Sequence, residues 1–168
     1  MRAAADSISL RLVSPGDKEM IFKWRNTPFL IKHGSSGKGV TCKEHCRWFD
    51  SVLNGEDISL FIIEKEGTPV GQVRFDLREE AIYMVSIYLL EEYTGRGIGV
   101  DALRRGLELM KHKKSNRRFI AFIKTDNRAS RSVFLKAGFE EIKDFKNVPP
   151  GHIAMAYNPE NLYIERPE

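Results

Sequence analysis

Three glycines and an arginine share five residues in Gly95-Arg-Gly-Ile-Gly99, just after the apolar run Val85-Ser-Ile-Tyr-Leu89 and the acidic pair Glu91-Glu92. Glycine admits positive φ and lets a ligand approach the main chain closely. The first amide N–H groups of the helix that follows have no partner inside the helix, and its dipole favours negative charge there. A strand, a glycine-rich turn and a helix start in that order make a cradle for a diphosphate, with Arg96 adding a cation. Two other phosphate loops do not fit. A nucleotide P-loop ends in Gly-Lys-Ser/Thr, where this chain continues Val100-Asp101, and a dinucleotide fingerprint spaces its glycines G-x-G-x-x-G, where this chain has G-x-G-x-G.

Other chemistry is bounded by composition. Cys42 and Cys46 stand four apart in one predicted helix, where a disulfide strains the helix, and no His/Cys set completes a zinc site. They read as reduced thiols, and no metal is expected. The 168 residues fit one domain, residues 1–168, and 42% hydrophobic with 30% charged residues is the balance of a soluble globular protein. No apolar run approaches membrane-spanning length and the N-terminus lacks a signal-peptide layout, so a cytoplasmic location is expected. The net charge of +4 is compatible with nucleic acid without requiring it. The basic run from Lys111 to Arg118 closes a helix, where cations complement the dipole and face solvent. A second group, Arg128, Arg131 and Lys136, falls beside the anion cradle. Neither a nucleic acid nor a membrane is expected as partner, and a homodimer is left open.

The elements that must position these groups follow from periodicity. Ile8 to Val13 alternates as an edge or early strand, and Ser14-Pro15 opens a helix through Asn26 that buries Met20, Ile21 and Trp24. Thr27-Pro28 stops it, and His33 to Gly39 has loop composition. A capping box of Thr41 and Glu44 starts the next helix, which runs to about Asn54-Gly55. Ile58–Ile63, a turn at Glu66-Gly67, and Val70–Leu77 form an antiparallel hairpin, continued by a strand over Ala81–Leu89. The helix from Gly97 to about Lys113 carries Ala102, Leu103, Gly106, Leu107 and Met110 on one stripe, with Asp101, Arg104, Arg105 and Glu108 opposite. Phe119–Ile123 reads as a central strand. A helix with Ser130, Val133, Phe134 and Ala137 on one face ends at Gly138. Strands over Phe139–Phe145 and His152–Tyr157 close the chain across a Pro149-Pro-Gly151 turn. The order β-α-α-β-β-β-α-β-α-β-β makes an α/β sandwich, with a mostly antiparallel sheet of about six to seven strands flanked by about four helices. Ligands of open α/β sheets lie where neighbouring strands diverge beyond their carboxyl ends. The glycine loop leaves such an end after Leu89.

The loop, the element order and Asn127-Arg-Ala-Ser-Arg-Ser-Val-Phe-Leu-Lys-Ala-Gly-Phe139 together resemble the GCN5-related N-acetyltransferases (GNAT), which move acetyl from acetyl-CoA to an amine. The resemblance spans almost the whole chain. The family loop Arg/Gln-x-x-Gly-x-Gly/Ala matches Thr94 to Gly99, with Thr94 in place of the usual first residue. It implies a diphosphate cradle from Thr94, Gly95, Arg96, Gly97, Ile98, Gly99 and Val100. It also implies pantetheine contacts from Ile87, Tyr88 and Leu89 on the splayed fourth strand, and from Asn127, Ser130, Phe134 and Lys136 in the second motif. The family tyrosine that often protonates the leaving thiolate is Phe134 here, so that role does not carry over. Shorter signatures, Trp24-Arg-Asn26, His45-Cys-Arg-Trp-Phe49 and Gly71-Gln-Val-Arg-Phe-Asp76, resemble the branch that acetylates nucleotide-linked amino-deoxysugars, as in pseudaminic acid biosynthesis.

Acetyl transfer needs a neutral amine, a thioester held against it and stabilisation of the oxyanion. Tyr88 is the candidate donor to the departing sulfur, with Tyr83 as an alternative that also suits the core. Glu80 and His45 are candidates to take the amine proton. Glu80, in Arg78-Glu79-Glu80, reads first as a solvated acid, and His45 equally as a core residue. For the acceptor, Arg25 suits a diphosphate by bidentate hydrogen bonds. Asn26, His45, Trp48 and Arg74 complete the expected contacts. Two rival functions remain: acetylation of a protein N-terminus, as in ribosomal-protein acetyltransferases, and a CoA-binding module without catalysis.

Overall fold

The computed structural model describes residues 8–79, 81–113 and 117–158. Alternating and continuous apolar runs become seven strands: β1 (Ile8–Leu12), β2 (Ile58–Lys65), β3 (Thr68–Glu79), β4 (Ile82–Leu89), β5 (Arg118–Lys124), β6 (Phe139–Ile142) and β7 (His152–Tyr157). They form one open mixed sheet in the order β1-β2-β3-β4-β5-β7-β6. Five α-helices flank it: α1 (Lys18–Arg25), α2 (Pro28–His33), α3 (Cys42–Asn54), α4 (Ile98–Lys113) and α5 (Arg128–Lys136).

The two faces of the sheet carry different helices because β-strand side chains alternate. Val73, Phe75, Tyr83 and Val85 join Leu103, Leu107 and Met110 of α4 and Phe134 of α5 in one core. Leu60 and Ile62 on the other face pack with Ile21 and Trp24 of α1, Leu30 of α2, and Phe49 and Val52 of α3. The expected stripe of α4 is the buried one, and Asp101, Arg104, Arg105 and Glu108 are exposed. Gly106 permits this close fit, since a Cβ there would lie 3.0 Å from the Phe75 ring.

Local signals set most boundaries. The capping box is formed: the Thr41 amide donates to Glu44 Oε2 (2.8 Å) and the Glu44 amide to Thr41 Oγ1 (3.2 Å). Asp17 anchors the approach to α1 by accepting two hydrogen bonds of 2.8 Å from the Arg11 guanidinium and another from the Ser14 amide. The guanidinium hydrogen bonds above all hold its carboxyl below the ordinary carboxylate range.

Three expectations are corrected. The first helix begins as a 3-10 turn over Pro15–Asp17, with α1 proper starting at Lys18. Thr27-Pro28 does end α1, and it also starts α2, which the sequence reading did not assign. Thr27 Oγ1 accepts from the Leu30 amide and Pro28 sits in the first turn, where its missing N–H is harmless. Strand β6 stops at Ile142, short of Phe145, because the chain enters a left-handed conformation at Asp144 (φ 62°).

The sheet is continuous except at one seam. Strand β4 pairs with β3 along its length, and β5 pairs with β7 along its own. Between β4 and β5 the parallel register holds only for Ile82, Met84 and the residue between them, opposite Arg118–Ile120. From Val85 to Leu89 the outer edge of β4 has no strand beside it among the described residues, which leaves main-chain groups for another partner. Gly71 of β3 sits opposite Leu89, and a Cβ there would collide with the Tyr88 carbonyl oxygen and lie 2.9 Å from Leu89 Cα. The end of β4 therefore leans over a position that only glycine leaves empty. Gly71→Ala should destabilise the fold by about 2–3 kcal/mol, as overpacking against main chain does. Urea denaturation reads this directly, and wild-type stability would show that the end of β4 moves freely.

Candidate active site

The glycine turn stands at the mouth of the β4–β5 gap. After Leu90 the chain makes a 3-10 turn over Glu91–Tyr93, in which Thr94 Oγ1 donates to the Glu91 carbonyl (2.7 Å). Thr94 thus closes the turn with its hydroxyl, which is not aimed at a ligand. Gly95 and Gly97 adopt φ of 72° and 80°, and a Cβ on either would meet nothing within 4 Å. Open space and left-handed backbone together mark a surface that something else can approach. The first α4 hydrogen bond runs from the Asp101 amide to the Gly97 carbonyl (3.2 Å), so the amides of Ile98, Gly99 and Val100 are the uncommitted ones. The Ile98 side chain is buried and pins the turn, and Arg96 is exposed beside it. Gly99 differs from its neighbours: it lies inside α4, where it packs on Val133 of α5.

The second motif forms the other wall. Asn127 caps α5, its Oδ1 accepting from the Ser130 amide (3.0 Å), so its carboxamide nitrogen is the group left to offer a ligand. Ser130 is half-buried next to it, and Lys136 at the far end of α5 is exposed, with its carbonyl accepting from Arg104 (2.7 Å). Phe134, expected at the cofactor, is only 2% exposed and packs edge-on against Phe139 at 4.9 Å. It belongs to the core because the inner face of α5 is the one turned to the sheet.

On the opposite face of the sheet a polar cluster lies among α1, α3, β3 and β4. Arg25 stacks over the Trp48 ring at 4.5 Å and Arg74 approaches the same ring at 5.6 Å. Arg74 Nε is paired with Asp76 Oδ1 at 2.9 Å. Arg25 has no carboxylate in ion-pair contact among the described residues. Burial and then the neighbouring Arg74 charge lower its pKa from the usual arginine value. The Tyr88 phenol lies against Trp24, with ring centroids 6.3 Å apart, and is enclosed near Arg25 and Arg74. Burial pushes its pKa up, so it stays an O–H donor. It faces α1 and α3, away from α5. Beyond Trp24 a cavity of about 320 Å³ opens between the start of α2 and the end of β4, lined by Phe29, Leu90, Glu91 and Glu92 among others.

Two side chains proposed for this cluster have other duties. His45 is 1% exposed, and its Nε2 lies 2.7 Å from the Lys18 carbonyl oxygen, which can only accept. Nε2 therefore carries the proton, and Nδ1 accepts from Arg25 Nη1 at 3.4 Å. A ring with both nitrogens engaged and no surface is not a general base or an acceptor contact. It positions Arg25. Asn26 is similarly occupied, donating to the Phe22 carbonyl (3.0 Å) and accepting from the Val40 amide (2.9 Å). Glu80 lies outside the described residues. Tyr83 is core, 7% exposed and packed with Phe119. Cys42 and Cys46 are free thiols with sulfurs 3.8 Å apart. No group of three or more His, Cys, Asp or Glu side chains among the described residues could hold a metal ion.

Residues 7–140 match the family model described as an acetyltransferase (GNAT) domain. The chain belongs to the GNAT acetyltransferases. It is therefore an N-acetyltransferase, with acetyl-CoA as the acyl donor. The sequence has no match among curated proteins. Solved structures share the fold. The aminoglycoside acetyltransferase AAC(6')-Ib, in complex with coenzyme A and kanamycin, is 20% identical with a TM-score of 0.78, over 93% of this chain and 97% of that one. Spermidine N-acetyltransferase from Vibrio cholerae, with CoA and spermine, is 15% identical with a TM-score of 0.72, over 89% and 92%. A domain from Methanocaldococcus jannaschii is 21% identical with a TM-score of 0.76, over 89% and 97%.

Sequence reasoning missed two contributors, Gly71 and Gln72. Gly71 stood inside a quoted signature, yet only the position of the Tyr88 carbonyl reveals why glycine is needed. Gln72 faces the pocket side of the sheet directly opposite Tyr88.

Two outcomes test this acetyltransferase site. Gly97→Glu forces a side chain into left-handed backbone and puts a negative charge before the free amides. Calorimetry should show acetyl-CoA affinity falling by about 100-fold or more, and wild-type affinity would place the donor elsewhere. Burial lowers the His45 pKa below its usual 6.5. In that window the unfolded chain binds the extra proton, so stability should rise with pH and fall as pH is lowered from about 7.5 to about 5.5. His45→Gln should flatten that part of the melting-temperature profile.

Proposed function

We propose that this acetyltransferase acts on the amine of a small acceptor that carries negative charge, and that a nucleotide-linked amino-deoxysugar is that acceptor. One observation carries the reading: Arg25 and Arg74 converge on one indole, and among the described residues Arg25 has no carboxylate in ion-pair contact, Glu44 acting on it only from farther off. A half-buried guanidinium without a counter-ion is unfavourable unless a ligand supplies one. Guanidinium geometry suits a diphosphate, and Trp48 offers a flat surface beside it. Kanamycin and spermine, bound by the structural neighbours, are polycations that two arginines would repel.

In this reading the donor's diphosphate rests on the amides of Ile98, Gly99 and Val100 with Gly95, Arg96 and Gly97 around it. Its pantetheine follows the free edge of β4 at Ile87, Tyr88 and Leu89, opposite Asn127 and Ser130, with Lys136 near the outer end. The neutral amine attacks the thioester carbon, amide N–H groups of β4 stabilise the oxyanion, and collapse releases the CoA thiolate while the amine proton passes to water. A sugar amine is less basic than a lysine side chain, so a water route suffices without a carboxylate base. Catalysis then rests on placement of the two substrates.

Release of free CoA thiol, followed with a UDP-linked amino sugar, the unlinked sugar amine, spermine, kanamycin and a basic N-terminal peptide, tests the acceptor class. The nucleotide-linked amine should be preferred. Arg25→Gln should raise its KM about 10- to 100-fold, the loss of a charge-assisted contact, with the acetyl-CoA KM unchanged. Preference for a polycation would refute the anionic acceptor, and preference for the peptide would favour N-terminal acetylation.

A further inference from the structure

Four polar atoms on the α1–α3 face of the sheet are closed off from solvent without a hydrogen-bond partner among the described residues; Arg74 Nε and Asp76 Oδ1 are accounted for by their 2.9 Å ion pair, which leaves Tyr88 Oη and Gln72 Oε1. They are neighbours, because Gln72 of β3 and Tyr88 of β4 stand directly opposite in the antiparallel register. Arg74 lies two residues along β3 on the same face. One atom belongs to a phenol that donates and the other to a carboxamide oxygen that accepts, yet the two do not bond to each other. Nearby polar groups are satisfied: His45, Asn26 and Thr27 all have partners. Burying a donor or an acceptor unpaired is unfavourable, so an adjacent pair of them beneath Arg25 and Arg74 calls for an explanation. Packing does not provide one. Leucine or phenylalanine would fill either position among Trp24, Leu60 and Ile62 without an orphaned atom.

We propose that Gln72 and Tyr88 are a recognition pair for the acceptor. Gln72 Oε1 accepts a hydrogen from the hydroxyl or amine adjacent to the acetylated nitrogen, and Tyr88 Oη donates to that same group. The inference rests on the acceptor pocket assigned above and names the part of the acceptor that this pocket reads. Arg25 is the cover. Its guanidinium is held by stacking on Trp48 and one 3.4 Å contact with His45, so an anion beyond the pocket draws it outward and uncovers the pair. A site built to hydrogen-bond a substrate group rejects the analogue lacking it far more strongly than an apolar pocket does, because its own polar atoms are then left unpaired. Neither residue moves a proton in this role. They determine which acceptor is held in line with the thioester.

The test uses Gln72→Leu and the milder Tyr88→Phe, with a UDP-linked amino sugar and its analogue lacking the neighbouring hydroxyl. The wild type should prefer the hydroxylated acceptor by about 100-fold or more in kcat/KM. Each variant should shrink that preference to less than about 10-fold through loss on the hydroxylated acceptor alone, with the acetyl-CoA KM unchanged. Melting temperatures should equal or exceed the wild type, since each change removes an orphaned polar group. Unaltered preference in both variants, or a wild type that does not discriminate, overturns the pair. A lowered melting temperature in both assigns the residues to packing whatever the acceptor. Calorimetry with UDP separates this inference from the reading beneath it: failure of the wild type to bind UDP removes the nucleotide-linked acceptor. UDP binding retained by variants that keep full discrimination removes only the recognition pair.

Discussion

The parting of β4 from β5 is the constraint on which the rest of the molecule depends. Each strand is paired along its other side, β4 to β3 and β5 to β7, and only the seam between them is left short. The pairing gives way after Met84. What opens is a wedge walled by main chain on one side and by the start of α5 on the other, with the uncapped start of α4 at its mouth. Gly71 keeps that geometry available by leaving room under the Tyr88 carbonyl. An extended acyl carrier suits such a wedge, because free main-chain groups on an exposed strand edge bind an extended chain much as a missing strand would.

The two sides of the catalytic site are built from different materials. The donor side as proposed is mostly backbone: amides at the head of α4, left-handed glycines and the edge of β4. Backbone donors tolerate sequence change, which fits a fold shared at 15–20% identity with acetyltransferases solved in complex with molecules as unlike as kanamycin and spermine. The proposed acceptor side is made of side chains, namely Arg25, Trp48, Arg74, Gln72 and Tyr88. His45 serves it indirectly, since its proton is committed to the Lys18 carbonyl and its remaining lone pair steadies Arg25. The α1–α3 layer thus acts as a frame for one cation, and Asp17 with Arg11 secures that layer to β1.

Much of this architecture was legible along the chain. The capping box at Thr41, the stripe on α4, the hairpin of β2 and β3, and the glycine turn are local features, governed by residues a few positions apart, and they stand as read. Helix α2 was overlooked because Pro28 ends one helix and begins the next, and a single residue does not announce both. Phe134 and His45 were drawn toward the site by motif position and helical face. Their burial follows from which side of α5 and α3 meets the sheet.

By itself, the order of residues determined most of the element types, the glycine turn and the family, because propensity, capping and glycine conformation act over short stretches. Tertiary structure decided which polar atoms are spent and which are left over. Asn26 and His45 found partners on segments as far off as Val40 and Lys18, whereas Gln72 Oε1 and Tyr88 Oη did not. A hydrogen bond or an uncompensated charge depends on what folding brings within a few ångströms, and that proximity belongs to the three-dimensional packing of the chain.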